Sequence, residues 1–311
     1  MSSFWRPTPL PSLDVFNKKL RVEHTRRATQ QNAYKLCLEL EKSTVAKTVM
    51  HARVLGYLIL HAPNHTAEAE NAKSIVSCAG NREKLDELGE SFVKWFINIC
   101  KHDTTPWRTP IPSHPPSRPS FDREREVMAS THFNVGVDEQ GEPTDKVHFI
   151  LVFLLPSPSL CLSEQACSID LSVLKRFGYP VETLNGVGVH SLVNIMTLQA
   201  DVHDLFDRLQ LWLEATEIPH RYRIQSSRRI GAIVRRREFV RFTTSDPHRF
   251  PLPSPELLAL HAACAKVANL SGAAEFLDKV DRDLEELDVL KANEDSSEVL
   301  DVAIWRLAHA M

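Results

Sequence analysis

Apolar residues return every three to four positions through Ala33, Leu36, Cys37 and Leu40, and then through Val45, Val49, Ala52, Leu55, Leu58 and Ile59. That period predicts one long helix or a helix pair over 32–62, stopped by Pro63, which cannot donate the backbone hydrogen bond a helix needs. Leu85, Leu88, Phe92, Val93, Trp95, Phe96 and Ile99 repeat the pattern ahead of Asp103, so the first third of the chain reads as a helical layer. Between Pro106 and Pro119 there are six prolines in fourteen residues, which predicts an extended strap. Phe121 to Met128 reads as a short helix, and 130–146, with Gly136 and Gly141, as loop.

The pattern changes at Val147 to Leu155, where VHFILVFLL is short, β-branched and aromatic and ends at Pro156 and Pro158. A buried strand is the expectation, with His148 its polar member. A helical segment around Leu171 to Phe177 follows, then a turn at Gly178 and Pro180, a second turn at Asn185 and Gly186, and a second strand, Val193 to Leu198. Asp201 caps a helix whose apolar face is Val202, Leu205, Phe206, Leu209, Trp212 and Leu213, with His203, Asp207, Gln210 and Glu214 on the other side. Further on, Ser254 and Gly272 bracket a helix from about Glu256 to Leu270 as N-cap and stop. A last helix follows, narrow in its apolar stripe (Phe276, Val280, Leu284, Leu287) and acidic elsewhere. From Glu275 to Asp301 there are eleven acids and three bases.

These elements predict an α+β protein, mainly helical around a small strand–strand–helix unit. Its regions are an N-terminal helical part (1–105), the proline-rich strap and loop (106–146), the strand–strand–helix region with a basic segment (147–250) and the C-terminal helices (251–311). No internal repeat marks a solenoid.

Composition narrows the function classes only a little. The chain has 311 residues, 43% of them hydrophobic and 25% charged, and a formal net charge of −3. That balance announces no nucleic-acid binder, so the distribution of charge matters more than the sum. It is uneven: residues 220–249 hold nine arginines against Glu238 and Asp246. Arg228, Arg229, Arg235, Arg236 and Arg237 are the candidate phosphate contacts, arginine being suited to backbone recognition. Neutralisation by the acidic C-terminal helix is the competing reading.

No apolar run approaches the roughly 20 residues that span a bilayer, and the N-terminal MSSFWRPTPLPS lacks the order of a signal peptide. An intracellular protein, in cytoplasm or nucleus and away from membranes, is expected. The six cysteines form no CxxC pair, which speaks against a zinc ribbon or a secreted disulfide framework. GxxxxGK[ST], GxGxxG and GxSxG are all absent from the sequence.

Three polar residues stand out by placement: His148 on the first strand, Asn194 on the second, and His203 in the first turn of the next helix. Hydrolysis of a phosphodiester with metal assistance needs a base to take a proton from water and a cation to stabilise charge on phosphate and leaving oxygen. Val147-His148-Phe149-Ile150, and Asn194 followed nine positions later by His203 within NIMTLQADVHDLFDRLQLWLE, resemble the HNH (ββα-metal) endonucleases. SVLKRFGYPVETLNGVGVHSL and PLPSPELLALHAACAKVANLSGAAEFL resemble the fungal HNH-like group in particular, and the likeness covers most of the chain.

The resemblance implies a ββα-metal element with His148 as general base, Asn194 orienting it and His203 binding a divalent ion, magnesium or manganese rather than zinc. Asp207 completes the family's His-x-x-Phe-Asp pattern and either reaches the metal through water or braces the helix; His190 is a further candidate ligand. The substrate implied is nucleic acid, DNA before RNA. Two departures stand beside the matches. Position 147 is Val where members place Asp or His as a second ligand, and the preceding Arg-Cys-Val-Val-Thr-Gly-like hairpin has no counterpart between Ser120 and Val147. A catalytically inactive descendant that binds nucleic acid, or a protein partner through its helical shell, therefore stays open, as does a pocket reused for small-molecule chemistry.

Overall fold

A computed structural model describes residues 6–19, 24–101, 149–153, 175, 191–227, 238–244 and 246–286. The expected elements on the strap and loop of 106–146, at Leu171 to Phe177 apart from Lys175, which is helical, at the Gly178–Pro180 and Asn185–Gly186 turns and beyond residue 286 lie outside these residues.

The N-terminal layer is a set of packed helices, two of which have polar caps written into the sequence. Helix α1 (Leu13–Lys19) leads into α2 (His24–Leu40) and α3 (Ala46–Leu60), so 32–62 is a helix pair, broken at 41–45. Helix α4 (His65–Ser77) starts at Asn64, whose side-chain oxygen accepts from Ala67 N at 2.8 Å, and α5 (Arg82–Phe92) starts the same way at Asn81. Neither α1 nor α4 was expected from periodicity. The chain continues from α5 through a π-helical segment, Val93–Ile97, into the short α6 (Asn98–Cys100).

An extended N-terminal segment lies over these helices. Thr8 N donates to Leu270 O at 3.0 Å, Leu10 N to the Glu41 carboxylate at 3.0 Å, and the Tyr34 hydroxyl to Pro11 O at 2.7 Å. Pro7, Pro9 and Pro11 lack an N–H, so the segment can run as extended chain without leaving donors unpaired.

Among the described residues two small sheets complete the fold, which is α+β. Strands β1 (Phe149–Phe153) and β2 (Ile195–Gln199) pair antiparallel, Phe149 opposite Gln199 and Phe153 opposite Ile195. Helix α7 (Ala200–Asp207) follows β2 directly. The second sheet is the antiparallel meander β3 (Leu211–Ala215), β4 (Arg221–Ser226), β5 (Phe239–Arg241).

Here the sequence reading needs correction: the helix begun near Asp201 does not carry its apolar face on to Leu213. It ends at Asp207, Leu209 turns left-handed at φ 57°, and Leu211, Trp212 and Leu213 become strand. The apolar spacing suits either state; what decides is that three consecutive residues are all buried, as a strand covered on both faces allows and a one-sided helix does not. Asn269 secures the turn by donating its side-chain amide to Leu209 O at 2.8 Å.

Helix α8 (Pro255–Ser271) runs through the middle, packed on α3 and β3 and apolar on nearly every side. Its ends match expectation: Ser254 accepts from Leu257 N, and Gly272 closes it at φ 93°. Helix α9 (Ala273–Glu286) leaves at 81°. Lys101, itself buried, binds Asp278 at 2.8 Å and Asp281 at 2.5 Å on α9. One apolar cluster joins α1–α5, the π-helical segment, β2–β4, α8 and α9. No single helix among the described residues is long and apolar enough to cross a membrane.

Candidate functional site

The β1–β2 pair and α7 bring part of the predicted constellation together. Asn194 is fully buried, in a 3-10 turn (Leu192–Asn194) just before β2 rather than on the strand. The turn is held at both sides: Asn194 N donates to Ser191 O at 2.9 Å, and Ser254 N donates to Val193 O at 2.8 Å. Strand register sets Asn194 at the Phe153 end of the hairpin, while the Phe149 end adjoins the start of α7.

His203 and Asp207 sit one turn apart on α7, so their side chains share a face. His203 Nε2 lies 3.3 Å from Asp207 Oδ2. Burial lowers the His203 pKa and pushes the Asp207 carboxyl up to about 7, with the nearby Asp204 charge adding to the second shift. Burial thus disfavours the charged form of both groups, which argues against a strong ion pair between them. Phe206, between them in sequence, faces inward and stacks on His261, whose Nε2 meets Phe206 O at 3.1 Å; His261 is a core residue, as its Ala-rich surroundings suggest.

His148, His190, Arg228, Arg229, Arg235, Arg236 and Arg237 lie outside the described residues, so the expected contact between Asn194 and His148 does too. His203 and Asp207 are one imidazole nitrogen and one carboxyl oxygen, donors that fit a divalent cation as two members of a larger set. Among the described residues no three His, Cys, Asp or Glu side chains gather as a metal site, and further donors would have to come from elsewhere in the chain.

Sequence reasoning missed two features. The first is His51, buried on α3, with Nδ1 2.8 Å from Asp86 Oδ1 and Nε2 meeting no hydrogen-bond partner. No periodic signal marks a buried histidine on an apolar helix. The second is the β4–β5 ribbon. Arg221 lies directly across from Arg241 and Arg223 across from Phe239, and Arg221 and Arg223 line a cleft with Glu214, Glu217, Ile218 and Phe239. The alternation in Arg-Tyr-Arg and Phe-Val-Arg could have revealed it had the preceding segment been read as a strand.

Comparison with protein-family models, with curated proteins and with solved structures finds no match to this chain.

Proposed function

We propose that this protein is an HNH-type endonuclease-like protein that acts on nucleic acid, DNA rather than RNA, by metal-dependent phosphodiester hydrolysis. One observation carries the reading: an antiparallel strand pair runs straight into a helix that presents His203 and Asp207, with buried Asn194 nine positions before His203. His148 is assigned the general base, taking a proton from the attacking water. His203 would hold the cation with Asp207 at its side, and the cation, when bound, would supply charge stabilisation at the phosphate. Asn194, buried in the 3-10 turn before β2, is assigned to orient the base.

The test is plasmid nicking by the full chain in magnesium, manganese, zinc or EDTA, beside His148→Ala and His203→Ala. Nicking that needs a metal and is lost in both variants is expected. Cleavage that persists in EDTA, or is unchanged in both variants, overturns the assignment. The alternative is a non-catalytic descendant that binds nucleic acid: Val147 stands where family members place Asp or His as a second ligand, and one neutral imidazole is a poor site for magnesium. Folded protein that binds DNA without nicking it in any of the metals identifies that alternative.

A further inference from the structure

We infer that the outer face of the β4–β5 ribbon, formed by Arg221, Arg223 and Arg241 around Phe239, is a surface that binds the phosphate backbone of DNA. The inference rests on the nucleic-acid reading above and locates its contact surface.

Residues facing each other across an antiparallel pair, and those two apart along a strand, share one side of the sheet. The register Arg221↔Arg241 and Arg223↔Phe239 therefore sets three guanidinium groups and one aromatic ring on one face. Two of the cations are organised by the ring. Arg221 Cζ lies 4.1 Å from the Phe239 centroid and Arg223 Cζ 5.2 Å. A guanidinium held over a ring face is restrained without using up its N–H donors, which suit phosphate oxygens.

Glu217 lines the same cleft as an exposed carboxylate with no ion pair among the described residues, and the other two nearby acids neutralise this face only in part. Glu238 meets Arg223 Nε at 3.5 Å, but both side chains are about half or more exposed, at 49% and 68%, so the pair is weak and readily exchanged. Glu214, across from Arg223 on β3, is taken by Lys266 of α8 and also accepts from Gln225 Nε2 at 3.2 Å. Among the described residues, Arg221 and Arg241 form no ion pair. Like charges directly opposed across a ladder are unfavourable, and a bound polyanion removes that repulsion.

Charge complementarity selects the partner. From Arg221 to Arg241 the sequence holds eight arginines and one acid, in a protein whose total charge is −3. That local excess of positive charge in the sequence, of which Arg221, Arg223 and Arg241 stand on the ribbon, suits a ligand with regularly repeated phosphates better than a small anion or a protein with scattered acids.

The experiment is fluorescence anisotropy with a labelled DNA duplex, using the full chain in EDTA so that no chemistry intervenes, over a series of salt concentrations. Arg221→Gln with Arg241→Gln is expected to weaken binding by roughly tenfold per arginine at about 0.1 M salt and to lower the salt slope by about two. Arg221→Lys with Arg241→Lys, which keeps the charge, should recover most of that slope. Thermal unfolding of each variant checks the fold. Wild-type binding that the Gln variant reproduces with the same slope overturns this inference and leaves the nuclease reading standing. Failure of the wild-type protein to bind DNA overturns both. Competition by polyglutamate as effective as competition by unlabelled DNA overturns phosphate as the ligand.

Discussion

Asp207 is a carboxylic acid held where its charged form is costly. Its unfolded-state value of 3.8 rises to about 7 in the fold, so between those values the folded state binds a proton that the unfolded state has released. The contribution is fully present below the unfolded pKa and is lost as pH rises toward 7. His203 works the other way, because its lowered pKa means that the unfolded state gains a proton first as pH falls below 6.5. Comparing variant with wild type separates the two. Asp207→Asn should gain stability relative to wild type as pH rises from about 4 to about 7, then hold a constant advantage, in thermal unfolding followed across that range. A difference independent of pH would show that Asp207 ionises normally. His203, Asp207 and their spacing could be read from the sequence; the direction of their pKa shifts could not, since both arise chiefly from burial, which the packing of α7 in the fold decides.

At the scale of elements, helix ends were written locally and helix contacts were not. Asn64, Asn81 and Ser254 each accept from a backbone N–H three residues on, a geometry set within one turn of chain. Gly89 on α5 belongs to the other kind. A Cβ there would stand 2.5 Å from His51 Cβ and 3.0 Å from His51 Cα on α3, where backbone leaves little room to yield. Alanine is favoured over glycine in a helix by about 1 kcal/mol, so helix propensity alone predicts that Gly89→Ala stabilises. Overpacking costs about 1–3 kcal/mol and more when backbone must move. We expect Gly89→Ala to lower the denaturation midpoint. A raised midpoint would mean that α3 and α5 separate freely.

Over the whole molecule, the first hundred residues and the last described helix are tied through Lys101. Its side chain is only 6% exposed and meets Asp278 and Asp281 on α9. Removing one partner of a buried charge group leaves the others uncompensated. Lys101→Ala should therefore cost about 2–4 kcal/mol in denaturant unfolding, and Asp278→Asn with Asp281→Asn should recover part of the loss. Additive losses would show that α9 is held by its apolar residues alone. Much of the architecture was fixed by local pattern. The helix periods, the two short apolar strands and the caps and stops of α8 follow from spacing and side-chain chemistry. Tertiary contacts decided the rest. Leu209 to Leu213 satisfies a helical period, yet becomes a turn and a strand because β4 and α8 together bury Leu211, Trp212 and Leu213. The same choice turns Arg221, Arg223 and Arg241 from a run of charge into one face of a ribbon. A sequence specifies which residues recur at which spacing, but when one spacing suits two conformations, long-range burial determines which forms.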